Sequence, residues 1–208
     1  YIGNPELPGA KRYSELSARE ITEVYKAFLD TTLDAVSNFE PDLIHVHHLS
    51  LISWVGRYIY AIKGIKYIIT AHGSDIADIT KDKRYLHLSE DAVRSAKAIT
   101  VNSGYTRSYF QKTFGDNYSK NLHMIPGGVD ISEFPTNVDT KKFDETYATE
   151  GKKMVLFTGR LISHKGVRYL VRAAKDIKGE VFVVGDGPEM PYLKNLVERK
   201  RIGNVHLV

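Results

Sequence analysis

Two cations in one short loop are the residues whose types and spacing most directly suggest chemistry. Arg160 and Lys165 lie in residues 159–166, between an apolar run at 154–157 and an amphipathic run at 167–174. These runs predict a buried strand and a helix, and α/β sheets bind ligands beyond the carboxyl ends of their strands. The two cations therefore predict a diphosphate site. The alternative is that both are ordinary solvated surface cations.

A second glycine turn follows the next predicted strand in this part of the chain. Gly185 and Gly187 flank Asp186, and both glycines would let the backbone come close to a ligand. The turn only half resembles the dinucleotide fingerprint, because Met190 occupies the position of the third glycine and no acidic residue follows about twenty positions on. A nicotinamide enzyme is therefore disfavoured.

Histidines are the other candidates for chemistry. His45 and His47 fall on one face of a predicted strand at 43–47, next to His48, but no acidic or histidine partner stands at metal-ligand spacing. We therefore interpret them as polar residues at a strand end, without a metal. His72 follows another predicted strand, and the tight turn at Gly73 would expose its imidazole at the ligand-binding edge.

Composition limits the function classes. The chain has 208 residues, no cysteine and a net charge of +4, so disulfides and thiolate sites are excluded. Residues 152–208 hold 12 Lys/Arg and 5 Asp/Glu, so the basic excess lies in the part that carries Arg160. A basic surface attracts a nucleotide, anionic lipid or nucleic acid, and the absence of a nucleic-acid motif makes nucleic acid the least favoured partner.

Alternating apolar and amphipathic runs must position these residues. Strands are predicted at 43–47, 67–70, 98–101, 122–125, 154–158, 180–184 and 205–208. Helices are predicted behind a capping box at Ser17 and Glu20, and at 51–62, 103–110, 166–176 and 190–201. A further helix is predicted to follow the polar residues 78–84 and to end near 97. Strand, helix and strand at this spacing predict an α/β fold with parallel sheets. The polar, charged stretch at 135–153 predicts a connection between two domains, with a single helical turn at most.

Four motifs together resemble the retaining GT-B glycosyltransferases of family 4, also called glycosyltransferase group 1. In chain order they are residues 70–75 (TAHGSD), 98–103 (AITVNS), 125–130 (IPGGVD) followed by Phe134, and 159–166 with the turn at 185–188 (GDGP). Gly127 stands where the family usually has Asn.

The resemblance implies two Rossmann-like domains, with parallel sheets and helices on both faces, facing a cleft. They would be an acceptor-side domain at 1–135 and a nucleotide-sugar domain at 153–208, both partial, joined by a linker at 136–152. Sugar would pass from a nucleotide-sugar donor to the hydroxyl of a sugar, lipid or other acceptor, with retention of configuration and without a metal or other cofactor. We expect a cytoplasmic enzyme, with peripheral association with the membrane left open.

The resemblance also implies roles for single residues. Arg160 and Lys165 would be catalytic by offsetting charge on the departing diphosphate, and His72 would be catalytic at the transferred sugar. Further residues would bind the donor (Gly159, Gly166, Gly185 and Gly187) or line the acceptor side or cleft (Gly73, Asp75, Ser103, Gly127 and Gly128).

Two parts of the family pattern fall outside the sequence, and they leave alternatives open. The family's pair of glutamates would lie beyond Val208 and its glycine-rich first loop before Tyr1, so we expect residues 1–208 alone not to turn over. The alternatives are a non-catalytic nucleotide-binding protein of the same fold, or an enzyme of related architecture. A sugar-nucleotide epimerase would lack the motif pairing seen here, and a phosphorylase would need a pyridoxal-phosphate lysine site, which we do not find.

Overall fold

A computed structural model describes residues 11–208, and the chain divides into two compact units after Val129. The first ten residues of the predicted first domain lie outside the described residues. The second unit begins at Asp130 and therefore includes the stretch at 136–152 that the sequence suggested as a linker.

The first unit contains one four-stranded sheet in the order β1-β2-β3-β4, and every neighbouring pair of strands is parallel. Its strands are β1 (Leu43–His47), β2 (Lys66–Ala71), β3 (Ala98–Val101) and β4 (Leu122–Met124). Its helices are α1 (Ala18–Phe39), α2 (Leu51–Lys63), α3 (Ser74–Lys81), α4 (Leu86–Ser95) and α5 (Gly104–Phe114).

Local signals account for several of these boundaries. The predicted capping box forms at the start of α1, where the Ser17 side chain accepts from the Glu20 backbone N–H and Glu20 accepts from Ser17 in return. Gly64 ends α2 in the left-handed conformation, with φ of 71°. The predicted helix that follows the polar residues and ends near 97 is α4, but the sequence missed the separate helix α3, which takes up residues 78–81 of that polar stretch.

The core of the first unit lies on one face of its sheet. Val46, Ile69 and Val101 point to this face and are buried, and side chains from α2 to α5 pack in the same cluster. The opposite face of β1 carries His45 and His47, both of which are exposed. The prediction of a buried strand at 43–47 is therefore wrong for all residues except the half-buried Ile44 and the buried Val46.

The second unit contains a three-stranded parallel sheet in the order β5-β6-β7. Its strands are β5 (Met154–Thr158), β6 (Glu180–Val184) and β7 (Val205–Leu207), and its helices are α6 (Lys141–Tyr147), α7 (Val167–Ala173) and α8 (Met190–Lys200). Its core joins Val181 and Val183 of the central strand to Val171 of α7 and Leu193 of α8, all of them buried.

Two features of the second unit differ from the sequence-based expectation. The prediction of a buried strand before the cationic loop is wrong, since β5 is an edge strand and Leu156 is 65% exposed. The stretch at 136–152 carries α6, and its Phe143 and Tyr147 rings lie 5.1 Å from the Phe182 ring of β6. This stretch is therefore packed on the second sheet.

Both units confirm the predicted α/β class, with parallel sheets flanked by helices. Within residues 11–208, no helix has both the length and the apolar character that crossing a membrane would require.

Candidate functional site

The cationic loop lies at the carboxyl end of β5, as predicted. The chain leaves the strand at Thr158, forms a short 3-10 turn at Ser163–Lys165 and enters α7 after Gly166, whose φ is 72°. Arg160 and Lys165 are exposed. In the described part of the chain neither has a carboxylate oxygen within 4.0 Å, whereas other cations of this unit are paired. Both charges are therefore available to an anion.

The glycine turn after β6 holds the cationic loop in place. The Gly159 N–H donates to the Val184 carbonyl at 3.1 Å, and the Leu161 N–H donates to the Asp186 carbonyl at 2.8 Å. The two carboxyl-end loops are therefore joined through their backbones, which fixes the part of the loop that presents Arg160.

Close packing between these two loops explains why glycines occupy the turn. A Cβ on Gly185 would lie 2.1 Å from the Gly159 carbonyl oxygen, and one on Gly187 would lie 2.6 Å from the Leu161 carbonyl oxygen. Both glycines also have φ near +150°, which side-chain-bearing residues rarely adopt. The sequence assigned their close backbone approach to a ligand, and the structure shows such an approach to the neighbouring loop.

A cluster of imidazoles occupies the corresponding carboxyl edge in the first unit. His47 Nδ1 and His72 Nε2 are hydrogen-bonded at 3.0 Å. The His48 ring centroid lies 4.6 Å from that of His72, and the His45 and His47 centroids are 4.4 Å apart. His45 also bonds Thr70 Oγ1 at 2.7 Å. The structure therefore brings together the two groups of histidines that the sequence treated separately.

Electrostatics favour the neutral form of two members of this cluster, His72 and His45. Burial and then repulsion from His48 hold the pKa of His72 below its usual value, although the Asp75 carboxylate acts in the opposite direction. The pKa of the exposed His45 is also lowered, first by partial desolvation of its ring and then by repulsion from His47. Within residues 11–208 no three or more His, Cys, Asp or Glu side chains have an arrangement that could hold a metal ion.

Asp75 joins the loops that carry these histidines. Its carboxylate accepts from the His72 N–H through Oδ1 and from the Leu49 N–H through Oδ2, both at 3.0 Å. The residue is only 4% exposed. Both oxygens are thus used by backbone groups, so Asp75 fixes the position of His72 by holding the loop after β1 to the loop after β2.

The remaining predicted cleft residues have different surroundings. Gly73 precedes α3 with φ of 91° and would place a Cβ 3.4 Å from Thr106 Oγ1. Ser103 caps α5, since its Oγ accepts from the Thr106 N–H at 3.1 Å. Gly127 and Gly128 are exposed in the loop after β4 and have open space around them.

Two glycosyltransferase family models match consecutive parts of the chain. Residues 12–133 match Glycosyltransferase Family 4, and residues 138–208 match Glycosyl transferases group 1. The first match alone covers more than half of the chain. The chain therefore belongs to the glycosyltransferases of family 4, as the four motifs indicated.

A curated relative is the GDP-mannose-dependent alpha-(1-6)-phosphatidylinositol monomannoside mannosyltransferase of Mycolicibacterium smegmatis. It is 26% identical over 214 residues, which cover 92% of this chain and 54% of the relative. This chain thus spans about half the length of that protein.

Two solved structures share the fold. Anabaena HepE, crystallised with UDP, has a TM-score of 0.67 and 21% identity over 90% of this chain and 50% of its own. The UDP-GlcNAc 2-epimerase of Neisseria meningitidis, bound to UDP-GlcNAc, has a TM-score of 0.58 and 13% identity over 96% of this chain and 56% of its own.

Sequence reasoning missed one partnership in the site, the one between His47 and His72. The signal was present in the spacing, since His47 ends one strand and His72 follows the next. In the parallel register His47 lies opposite Thr70, two residues before His72. Only the pairing of β1 with β2 converts that spacing into a contact.

Proposed function

We propose that this chain carries the nucleotide-sugar site of a glycosyltransferase, which transfers a sugar to an acceptor hydroxyl with retention of configuration. The observation that carries the proposal concerns Arg160 and Lys165, which lie on a loop fixed by the adjacent glycine turn. Both are exposed, and among residues 11–208 neither has a carboxylate oxygen within 4.0 Å. The epimerase neighbour shares the fold, so the fold by itself does not separate the candidate activities. The cationic loop and the family membership support transfer.

The chemistry assigned to the two cations follows from the leaving group. When the bond between the sugar and the diphosphate breaks, negative charge accumulates on the phosphate oxygens. Arg160 offers a planar fork for two oxygens, and Lys165 offers a compact positive charge. We propose that these side chains supply the charge compensation and that the reaction needs no metal ion.

His72 is assigned to the transferred sugar. Its half-buried imidazole favours the neutral form at neutral pH, in which one ring nitrogen donates a hydrogen bond and the other accepts one. A neutral donor can bind a sugar hydroxyl or ring oxygen without carrying a full charge into the site. The proposed role is therefore a hydrogen bond to the sugar as its bond to the diphosphate breaks.

The donor base and the acceptor are open to direct test. The mycobacterial relative is named for GDP-mannose and for a phosphatidylinositol mannoside, whereas HepE was crystallised with UDP. We propose GDP-mannose as the first donor to try, with a sugar, lipid or other hydroxyl acceptor. A cytoplasmic location, with or without peripheral membrane contact, is part of this proposal.

Nucleotide binding by the 208-residue chain tests the assignment of the loop. Calorimetric titration with GDP, UDP and ADP should show one preferred diphosphate, and Arg160→Ala and Lys165→Ala should each weaken it. A charge-assisted hydrogen bond contributes about 1.5–3 kcal/mol, so the expected loss in affinity is about 10- to 150-fold per variant. The matching monophosphate should respond less, because it lacks the second phosphate.

A matched control is available at the far end of α7. Lys175 is also an exposed cation of the second unit, but it follows the helix that begins after the loop. Lys175→Ala should leave affinity unchanged, which separates a specific site from the general positive charge of this unit. Equal weakening by all three variants, or no diphosphate binding at all, would count against the proposed site.

Transfer by the complete protein is a separate part of the proposal. Because the chain spans about half the length of the mycobacterial relative, we propose that residues 1–208 bind the nucleotide without completing transfer. Detectable sugar transfer by this chain alone would show that statement to be wrong. Binding without transfer by the complete protein would instead favour the non-catalytic alternative.

A further inference from the structure

The hydrogen bond between His47 and His72 limits which ring nitrogen of His72 can donate a proton to a ligand. A single hydrogen atom must lie between His47 Nδ1 and His72 Nε2, which are 3.0 Å apart. Either His47 donates and His72 accepts, or the reverse. The pair cannot keep this bond if both nitrogens carry a proton, so the bond links the tautomer of one ring to that of the other.

The other nitrogen of His72 is the one available to a ligand. Within the described residues, His72 Nδ1 has no hydrogen-bond partner, whereas Nε2 is occupied by His47. If neutral His72 donates to a sugar, the proton must be on Nδ1 and Nε2 must be an acceptor. His47 must then be the donor.

We propose that His47 is a positioning residue for His72, donating its Nδ1–H to His72 Nε2 and thereby leaving the His72 Nδ1–H to bind the substrate. This inference rests on the proposed function, because the direction of the hydrogen bond is fixed by the role of His72 as a donor. It assigns a role to a histidine that belongs to a different strand.

Hydrogen bonds to the backbone hold the segments that carry His47 and His72 in place. His72 is held through its own N–H by Asp75, and Asp75 also holds the loop after β1 through the Leu49 N–H. Between them, His48 adopts φ of 77°, which is uncommon for a residue with a side chain. Its N–H donates to the Thr70 carbonyl at 2.9 Å. These bonds fix both ends of the His47–His72 pair.

The charged and titratable neighbours of His72 act in known directions. His47 and His45 approach from β1, His48 approaches from the following loop, and Asp75 lies on α3. Repulsion from the three histidines disfavours a protonated His72, and the Asp75 carboxylate favours it. A hydrogen bond donated by His47 to Nε2 also stabilises the neutral ring, because it occupies the lone pair that would take the proton. Removing His47 should therefore raise the pKa of His72.

Two substitutions at His47 separate hydrogen bonding from packing. His47→Leu keeps a side chain of similar bulk but removes the Nδ1–H donor. His47→Asn places an amide N–H near the position of Nδ1 and restores it. His87, an exposed histidine on α4 whose side chain is 87% exposed, provides the control His87→Ala.

Nitrogen-15 NMR of the imidazoles in the 208-residue chain reads out the pair directly and needs no turnover. In the wild type and in His47→Asn, neutral His72 should carry its proton on Nδ1. In His47→Leu this tautomer should no longer be fixed, and His72 should titrate at higher pH than in the wild type. His87→Ala should leave both observations unchanged. Identical tautomers and titration curves of His72 in the wild type and His47→Leu would overturn the proposal.

Kinetics of the complete enzyme provide the second readout. Loss of the partner that orients a metal-bound histidine typically costs about 10- to 100-fold, and by analogy His47→Leu should lower kcat by about that factor with little change in KM. The acidic limb of its pH profile should move to higher pH, and His47→Asn should restore both. Loss of kcat in His47→Leu without rescue by His47→Asn would mean that packing alone matters, which contradicts the proposal. If the NMR results hold and the wild type shows no transfer, the proposed function fails instead.

Discussion

Asp75 offers a quantitative test of how the first unit positions His72. The substitution Asp75→Ala removes the acceptor of two backbone N–H groups, those of Leu49 and His72. Leu49 is fully buried, so its N–H has no route to water. His72 is half-buried, and its N–H can recover part of the loss by binding water.

The expected cost follows from these two groups. An unsatisfied buried donor costs about 1–3 kcal/mol, so the two together should destabilise the protein by about 2–4 kcal/mol once the partial solvation of His72 is allowed for. Asp75→Asn keeps one oxygen and places an amide N–H against the other donor. It should therefore lose about half as much, roughly 1–2 kcal/mol.

Urea unfolding of the 208-residue chain measures this loss. With a slope of about 2 kcal/mol/M, the midpoint for Asp75→Ala should fall by about 1–2 M. Asp78→Ala is a matched control on the same helix, because among the described residues the Asp78 side chain makes no hydrogen bond or ion pair. It should change stability by no more than about 0.5 kcal/mol. An Asp75→Ala midpoint within the range of this control would refute the assignment of Asp75 as the tie between the two loops.

Two further predictions concern the second unit. Gly185→Ala would place a Cβ 2.1 Å from the Gly159 carbonyl oxygen, so it should destabilise the chain by at least about 2 kcal/mol in urea unfolding, whereas Gly203→Ala, with open space around it, should have little effect. Lys152 lowers the pKa of Glu180 through a side-chain hydrogen bond, so Glu180 stabilises the fold above its unfolded pKa of about 4.5. That contribution is lost as pH falls through the lower folded pKa, and Glu180→Gln should flatten the pH dependence of unfolding there. An unchanged pH dependence, or a fully stable Gly185→Ala, would contradict the corresponding contact.

Local patterns predicted much of the fold. The capping box at Ser17 and Glu20 and the glycine after α2 depend on residues a few positions apart, and both formed as expected. The strands were found for the same reason, since each is a short apolar run between turn signals. These features need no knowledge of what packs against them.

Burial could not be predicted in the same way. The apolar residues of β5 suggested a core strand, but an edge strand is covered on one side only, and its exposure depends on neighbours distant in sequence. A parallel strand has nearly the same hydrophobic sequence pattern whether it lies in the centre of the sheet or at its edge.

The candidate site shows the same division between local and distant signals. Arg160, Lys165 and His72 were identified from their own loops. Their supports were not, because the Gly185–Gly159 contact and the His47–His72 hydrogen bond each depend on which strands pair and in which register. Sequence therefore indicated which residues could do chemistry, and the structure indicated what holds them.

Sugar transfer by the complete protein is the most direct test of the central claim. The measurement is incubation with GDP-mannose and other nucleotide sugars, with detection of the glycosylated acceptor and the released diphosphate, and with the anomeric configuration of the product determined by NMR. The account predicts a product that retains the donor configuration and that is lost in the Arg160→Ala, Lys165→Ala double variant. Release of the diphosphate at an undiminished rate by the double variant would contradict it, as would a complete protein that binds nucleotide sugars and transfers none.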